Sequence, residues 1–188
     1  MAVLVKEALE AREIANKIPE TIALKITIGR NKCFYVITSY YPCEPKEHNQ
    51  RWEAIKLLIN EEMRSNNLEN IVIAADWNKD IERDEEILID FKGLGLKVVP
   101  IPVDFTYCSG NRMSKIDFFV ASKDYVDTVI AACEPKSLSD HKVITLEIPE
   151  IRELPNTIVT RIPSKKTAIS VTKDTFEKGG YTSLNEVH

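Results

Sequence analysis

The sequence predicts a layered α/β domain, and three observations lead to that prediction. Short apolar runs alternate with two segments of helical spacing, which is the succession expected when sheets are covered by helices. The chain has 188 residues, of which 44% are hydrophobic, and this is enough apolar surface for one substantial core. Several predicted strands also end in polar side chains, so we expect a functional site at such an edge.

The first predicted elements are a strand, a helix and a hairpin. Residues 2–5 have the composition of a short strand. Residues 6–17 predict a helix that ends before Pro19. The run 24–28 alternates between apolar and polar residues, and a Gly-Arg-Asn turn leads into a second strand over 33–40. These two runs therefore predict a β-hairpin.

An amphipathic helix is predicted after this hairpin. Apolar residues recur at helical spacing within a segment rich in Glu, Lys and Arg, at Trp52, Ile55, Ile59 and Met63. We interpret Trp52 as a core residue of this helix rather than as a side chain that stacks on a ligand.

The second half of the chain alternates between short strands and one further helix. A continuous apolar run over 71–75 predicts a buried strand, and residues 82–91, which two nearby glycines follow, predict a helix. Four more strands are predicted over 96–100, 115–121, 128–132 and 142–148.

Composition bounds the organisation of the chain. Residues 1–148 form the predicted domain, and residues 149–188, rich in Pro, Ser, Thr and Lys, are interpreted as a linker or mobile tail. The net charge of −4 excludes a broadly basic surface that binds any nucleic acid, but leaves room for a local basic patch. The four cysteines form no CxxC pair, so we expect reduced thiols.

We expect no targeting signal in the printed sequence. The first six residues are too short and too soon followed by charge to be a signal peptide, and no run of about 18 apolar residues could span a bilayer. We therefore expect a nuclear or cytoplasmic protein, not a secreted one.

Four polar motifs lie at the ends of predicted strands. They are Tyr40-Tyr41-Pro42, Asp76-Trp77-Asn78, Ser114-Lys115-Ile116-Asp117 and Ser139-Asp140-His141. Each has a purely structural interpretation, such as an Asx turn, a strand-edge carboxylate or a capped turn, and a lone histidine is more often structural than catalytic. In an extended chain Asp76 and Asn78 would point the same way. The joint order of the motifs is harder to explain structurally.

Together with Phe105-Thr106-Tyr107, these motifs resemble the endonuclease/exonuclease/phosphatase superfamily over residues 2–148. This superfamily includes abasic-site repair endonucleases, DNase I, inositol-phosphate phosphatases, neutral sphingomyelinases and the endonuclease domains of non-LTR retrotransposons. The resemblance implies the C-terminal part of a DNase I-like, four-layer β-sandwich flanked by helices. It also implies an enzyme that hydrolyses phosphodiesters with the help of a metal ion.

The resemblance assigns a role to each motif. Asp76 would orient or deprotonate the attacking water, and Asn78 and Tyr40 would contact a phosphate oxygen. His141 would bind or protonate the phosphoryl group. Asp117 would hold the imidazole in orientation and favour its charged form.

Two further assignments concern charge. Asp140 would help to hold a divalent cation, Mg²⁺ with Mn²⁺ as the alternative, because such ions prefer carboxylate oxygens. Lys115 and Arg112 are candidates for steering a phosphate, with solvated surface charges as the alternative interpretation.

The sequence departs from the superfamily at its beginning. Members start with a strand that carries an Asn and a junction that carries a metal-binding Glu, before the segment that residues 1–6 match. Glu7, Glu10 and Glu13 fall on the predicted helix, where we interpret them as solvated. We therefore expect an N-terminally truncated domain that exposes an apolar sheet face and has weak activity or none.

The branch of the superfamily is predicted from spacing. The short distance between the Asp76 and His141 motifs, and the extension after residue 148, are similar to retrotransposon endonuclease domains. DNA is then the expected substrate, with a missing N-terminal segment and a downstream reverse-transcriptase domain as partners. The acidic pI of about 5.5 keeps phosphoinositide or sphingolipid phosphodiesterases as an alternative, and an inactive fragment or interaction module is a third.

Overall fold

The computed structural model describes residues 10–28, 32–63, 70–123, 126–133 and 139–148. Within these ranges the chain forms ten strands and two α-helices. The strands are β1 (Glu10–Glu13), β2 (Thr21–Ile28), β3 (Lys32–Tyr40), β4 (Ile71–Asp76), β5 (Leu96–Val98), β6 (Tyr107–Ser109), β7 (Arg112–Ser114), β8 (Asp117–Ser122), β9 (Ile130–Cys133) and β10 (Ile144–Glu147). The helices are α1 (Pro45–Leu58), continued by a π-helical segment over Ile59–Met63, and α2 (Glu85–Gly93); a 3₁₀ turn covers Val126–Thr128.

A six-stranded mixed sheet forms the centre of the molecule, in the order β1-β2-β3-β4-β8-β5. The predicted hairpin is present as the antiparallel pair β2 and β3. Strands β3 and β4 are parallel, and α1 supplies the crossover that a parallel connection requires. Strands β9 and β10 form a two-stranded sheet, and the hairpin of β6 and β7 forms another. This architecture confirms the predicted layered α/β class, although periodicity did not predict the β6–β7 hairpin.

The helix predicted over residues 6–17 is wrong in its described part. Residues Glu10–Glu13 form β1, an exposed strand that pairs antiparallel with β2. Ala, Glu and Arg favour a helix in isolation, but pairing with the free edge of β2 satisfies the backbone and overrides that propensity. The charged side chains of β1 also discourage further pairing at this edge. Both Glu10 and Glu13 are exposed; the predicted strand over 2–5, Glu7 and the tail over 149–188 lie outside the described residues.

The helices cover one face of the large sheet. From α1, Trp52 is 4% exposed, and from α2, Phe91 is 1% exposed; their rings meet edge to face at 5.4 Å. The assignment of Trp52 to the core is therefore confirmed. Ile144 and Leu146 of β10 belong to the same buried core, so the small β9–β10 sheet also packs against the large one.

An exposed apolar sheet face was expected, and the central strands do not show one. Every residue of β4 and of β8 is buried, because the helices and the second sheet contribute to one continuous core. The mostly exposed large apolar side chains in the described ranges lie elsewhere, at Leu57, Leu88, Ile89, Met113 and Ile130. None of the four cysteines forms a disulfide, and no described helix is both long and apolar enough to cross a membrane.

Candidate active site at the ends of β3, β4 and β8

Three predicted site residues meet at one edge of the large sheet. Asp76 ends β4 and lies directly opposite Asp117, the first residue of β8. On the other side, Tyr40 at the end of β3 is the register partner of Asp76. Because residues in register across a sheet project from the same face, the pairing places these three side chains together.

His141 completes a compact group with the two aspartates. Its Nδ1 lies 2.8 Å from Oδ2 of Asp117, and an isolated bridge to Tyr107 anchors its backbone. The ligand atoms of Asp76, Asp117 and His141 all lie within 4.8 Å of one another; we call these three residues the acid–histidine cluster. Asp76 and Asp117 are 2% and 3% exposed.

Burial and mutual repulsion set the protonation of the cluster. Burial, and then the negative charge of Asp117, raise the pKa of Asp76 from 3.8 to about 7. Burial also raises the pKa of Asp117, against the hydrogen bond from His141. Burial alone would lower the pKa of His141, but its bond to Asp117 and the charges of Asp117, Asp76 and Asp140 raise it. The cluster therefore holds protons more firmly than the same groups would in water.

Thr106 fixes Asp117, and sequence reasoning gave it no role. Its buried Oγ1 accepts the backbone N–H groups of Ile116 and Asp117, at 3.1 and 2.9 Å, and its proximity lowers the pKa of the Asp117 carboxyl, against the effect of burial. The Thr106 carbonyl accepts the N–H of Lys142 at 2.7 Å, which links the segment of His141 to the same anchor. The only signal in the sequence was the resemblance of the Phe105-Thr106-Tyr107 segment.

The turn after Asp76 has the geometry of the Asx turn that the structural interpretation of its motif predicts. Asn78 has a left-handed backbone with φ of 50°, and its N–H donates to Oδ1 of Asp76 at 3.1 Å, as in an Asx turn. Its side-chain Nδ2 donates to the carbonyl of Tyr41 at 2.6 Å. From the sequence, Asn78 was expected to continue the strand and to point the same way as Asp76. The strand instead ends at Asp76, so strand alternation does not set the direction of the Asn78 side chain.

The remaining predicted residues lie outside the acid–histidine cluster. Asp140 is exposed and its carboxylate accepts the Ser139 hydroxyl at 3.1 Å, although its charge influences the pKa values of the cluster. The Lys115 ammonium lies 3.3 Å from the Glu82 carboxylate. Arg112 is exposed on β7.

The donor set of the cluster fits a divalent cation. Two carboxylates and an imidazole are ligands that such ions accept, and hard ions favour the carboxylate oxygens. Asp117 accepts a hydrogen bond from His141 and Asp76 accepts one from the Asn78 N–H, so each carboxylate keeps a second oxygen for an ion.

Solved structures with the same arrangement of elements identify the fold. The endonuclease domain of TRAS1, a telomere-specific non-LTR retrotransposon, superimposes with a TM-score of 0.62 and 16% identity, over 75% of this chain and 67% of that domain. The chain adopts the endonuclease/exonuclease/phosphatase fold. This confirms the predicted DNase I-like fold class. No model of a known protein family and no curated protein matches the sequence.

Two other structures of this fold are similar to the chain. Beta toxin from Staphylococcus aureus, solved as a mutant with bound magnesium ions, has a TM-score of 0.53 and 15% identity, over 67% of this chain and 56% of the toxin. The 3'-5' exonuclease of Neisseria meningitidis has a TM-score of 0.50 and 16% identity, over 67% of this chain and 64% of that enzyme. The chain thus spans about two thirds or less of the length of each neighbour.

Proposed function

We propose that the chain is a metal-dependent phosphodiester hydrolase that acts on DNA, as a retroelement-type endonuclease. The observation that carries this proposal is the Asp117–His141 pair, joined at 2.8 Å, with Asp76 in the same group of ligand atoms. The similarity to the retrotransposon endonuclease domain supports the choice of branch.

The geometry supports complementary roles for Asp76 and His141. With a pKa of about 7, the Asp76 carboxyl exists in both forms near neutral pH and is suited to take a proton from the attacking water. The raised pKa of His141 favours an imidazolium that stabilises charge on a phosphate oxygen. Asp117 binds Nδ1, so Nε2 is the nitrogen that remains for the substrate.

Substrate contacts are proposed for the residues around this pair. Tyr40 shares the face of Asp76 and would contact a phosphate oxygen. Asn78 uses one amide hydrogen on the Tyr41 carbonyl, and its second amide hydrogen would donate to the phosphate. Lys115 and Arg112 would act only at the periphery.

A divalent ion, most simply Mg²⁺ with Mn²⁺ as the alternative, would be held by Asp140, whose charge also reaches Asp76. When bound, it would neutralise charge on the phosphate oxygens. We propose low activity for this chain, because Asp140 alone gives a hard cation few of the six or so oxygen ligands that it prefers.

Nicking of supercoiled plasmid tests the proposal. Purified chain in excess over plasmid should produce open circles with Mg²⁺ or Mn²⁺ and none with a chelator. Asp76→Ala and His141→Ala should abolish the reaction, and Asp127→Ala, which removes an exposed aspartate from the 3₁₀ turn, should not.

Parallel assays separate the alternatives. A mannosyl-6-phosphatase from Bacteroides thetaiotaomicron shares the fold with a TM-score of 0.51, so sugar phosphates, phosphoinositides and sphingomyelin are included as substrates. Faster hydrolysis of one of these than of plasmid would replace DNA as the proposed substrate. No hydrolysis of any substrate would refute the enzymatic proposal and favour an interaction module.

A further inference from the structure

His48 is a buried histidine to which the proposed reaction gives no role. Helix α1 begins at Pro45, and the backbone N–H of His48 donates to the Glu44 carbonyl at 2.9 Å. This places the histidine in the first helical turn, directed into the core, with 3% of its surface exposed. Its ring packs against that of Tyr41 at 4.8 Å between centroids, and this contact fixes the plane of the imidazole.

The imidazole reaches the peptide group that joins Trp77 to Asn78. Its Nε2 lies 2.9 Å from the Trp77 carbonyl oxygen. A carbonyl only accepts hydrogen bonds, so Nε2 carries the proton. The N–H of the same peptide group belongs to Asn78 and donates to Oδ1 of Asp76 at 3.1 Å. One peptide group is therefore held by His48 at its oxygen and by Asp76 at its nitrogen.

This peptide group lies in a turn that needs external support. Asn78 is left-handed, a conformation that is tolerated by asparagine but sparsely populated. If the peptide group rotated, its N–H would leave Asp76 and the carboxylate would lose a fixed donor. The bond from His48 to the carbonyl opposes such a rotation.

We propose that His48 is a positioning residue for Asp76, which it orients through the peptide group between Trp77 and Asn78. The catalytic consequence rests on the proposed function, whereas the positioning itself does not. Burial, with a smaller contribution from the charge of Lys79, lowers the pKa of His48. A neutral ring that donates one hydrogen bond agrees with the geometry.

Three substitutions at His48 separate the hydrogen bond from packing. His48→Gln carries an amide nitrogen at about the reach of Nε2, whereas His48→Asn is one methylene shorter and does not reach the carbonyl. His48→Leu keeps an apolar side chain and removes the donor. Leu58→Ala, at an 8% exposed position on the same helix, serves as a control that destabilises the core without touching the turn.

Two readouts are needed for each variant. The first is amide hydrogen exchange of Asn78, measured by NMR relative to the amides of β4. The second is nicking over a series of plasmid concentrations up to saturation, which gives kcat and KM separately. We expect His48→Asn and His48→Leu to speed exchange of the Asn78 amide and to lower kcat by about ten- to a hundredfold, because a misplacement of about 1 Å costs up to about a hundredfold in rate. KM should change little, and His48→Gln should restore both values.

The outcomes distinguish a positioning role of His48 from general destabilisation of the core and from failure of the proposed function. Unchanged relative exchange at Asn78 in His48→Asn and His48→Leu, or an equal change in Leu58→Ala, would overturn the positioning role. If the wild-type chain does not nick DNA, the proposed function fails, and the exchange measurement still decides the positioning role. If His48→Leu does not fold, the comparison of the Gln and Asn variants decides it.

Discussion

Two sides of the turn after β4 are equally buried and have opposite chemistry. On one side lies the acid–histidine cluster. On the other lies an aromatic cluster that packs under the helices, made of Tyr41, His48, Trp52, Trp77, Phe91 and Phe118. Asp76 is 2% exposed and its neighbour Trp77 is 0% exposed. The difference between these adjacent residues shows how one turn serves both stability and chemistry.

Burial of the two side chains has opposite effects on folding. A buried tryptophan removes about 200 Å² from water and contributes roughly 5 kcal/mol. A buried carboxylate whose pKa rises from 3.8 to about 7 loses stability progressively as pH rises between those two values, and above pH 7 it opposes folding by roughly 2–4 kcal/mol. Burial of the aromatic side chains therefore offsets the free-energy cost of burying the carboxylates of the acid–histidine cluster.

Loss of the Trp77 ring should have the largest effect. Trp77→Ala removes a stack on Phe118 at 5.1 Å and another on Tyr41 at 4.7 Å, and we expect a loss of about 4 kcal/mol in the free energy of unfolding. Urea titration measures it. Leu57→Ala, at a 58% exposed position, should change it by less than about 0.5 kcal/mol. A loss below about 1 kcal/mol for Trp77→Ala would contradict the claim that the aromatic side of the turn stabilises the fold.

Asp76→Asn should affect the reaction and spare the fold. The amide keeps the shape of the carboxyl group but cannot take a proton from water, so nicking should slow about a hundredfold or more. Initial rates of open-circle formation give the ratio, with Asp127→Asn as the matched control. Retention of more than about a third of the wild-type rate would remove Asp76 from the proposed mechanism.

The same substitution should raise stability at high pH. Asp76, Asp117 and His141 all have raised pKa values, so the folded state binds protons more firmly than the unfolded state. Their contribution to stability is therefore full at about pH 4 and decreases as pH rises through about 7. Asn cannot ionise, so Asp76→Asn should be roughly 2–4 kcal/mol more stable than wild type at pH 8 and nearly equal at about pH 4, where the carboxyl is largely protonated in both states.

Chelator-treated protein is used for this comparison, because a bound cation would favour the ionised carboxylate. Urea titrations at about pH 4 and at pH 8 give the two differences. An Asp76→Asn chain that is less stable than wild type at pH 8 would show that the carboxylate is stabilising there, contrary to its raised pKa.

Lys115 should have the smallest effect. Its ion pair with Glu82 is on the surface, and such pairs contribute about 0.5 kcal/mol. Lys115→Ala should therefore leave the urea midpoint nearly unchanged and raise the KM for plasmid by about threefold at low salt, with less effect at high salt. A loss in kcat as large as that of Asp76→Asn would move Lys115 into the reaction itself.

The sequence predicted the elements that depend on local patterns. Continuous apolar residues indicated β4 and alternation indicated β2, because burial follows periodicity. It failed at β1, where Glu10–Glu13 have helical propensity and the neighbouring strand determines their conformation. Such an override depends on distant residues and leaves no local signal.

Only part of the candidate site could be predicted from the sequence, because most of its contacts join residues that are far apart in the chain. Only the resemblance in motif order predicted that Asp76 and Asp117 belong to one site. Their proximity depends on the register between β4 and β8, which local patterns do not encode. The contact of His48 with the Trp77 carbonyl joins positions 29 residues apart, and Thr106 acts on Asp117 across 11 residues. No spacing rule connects such pairs, so only the structure could find them.

The register of β4 and β8 has a consequence for how folding can be monitored. Five residue pairs align the strands, from Val72 opposite Ala121 to Asp76 opposite Asp117. A slip by one residue would turn Asp117 to the other face and break its contact with His141. The site thus exists in one alignment only, so a titration signal from His141 would count the correctly paired molecules in a refolding mixture.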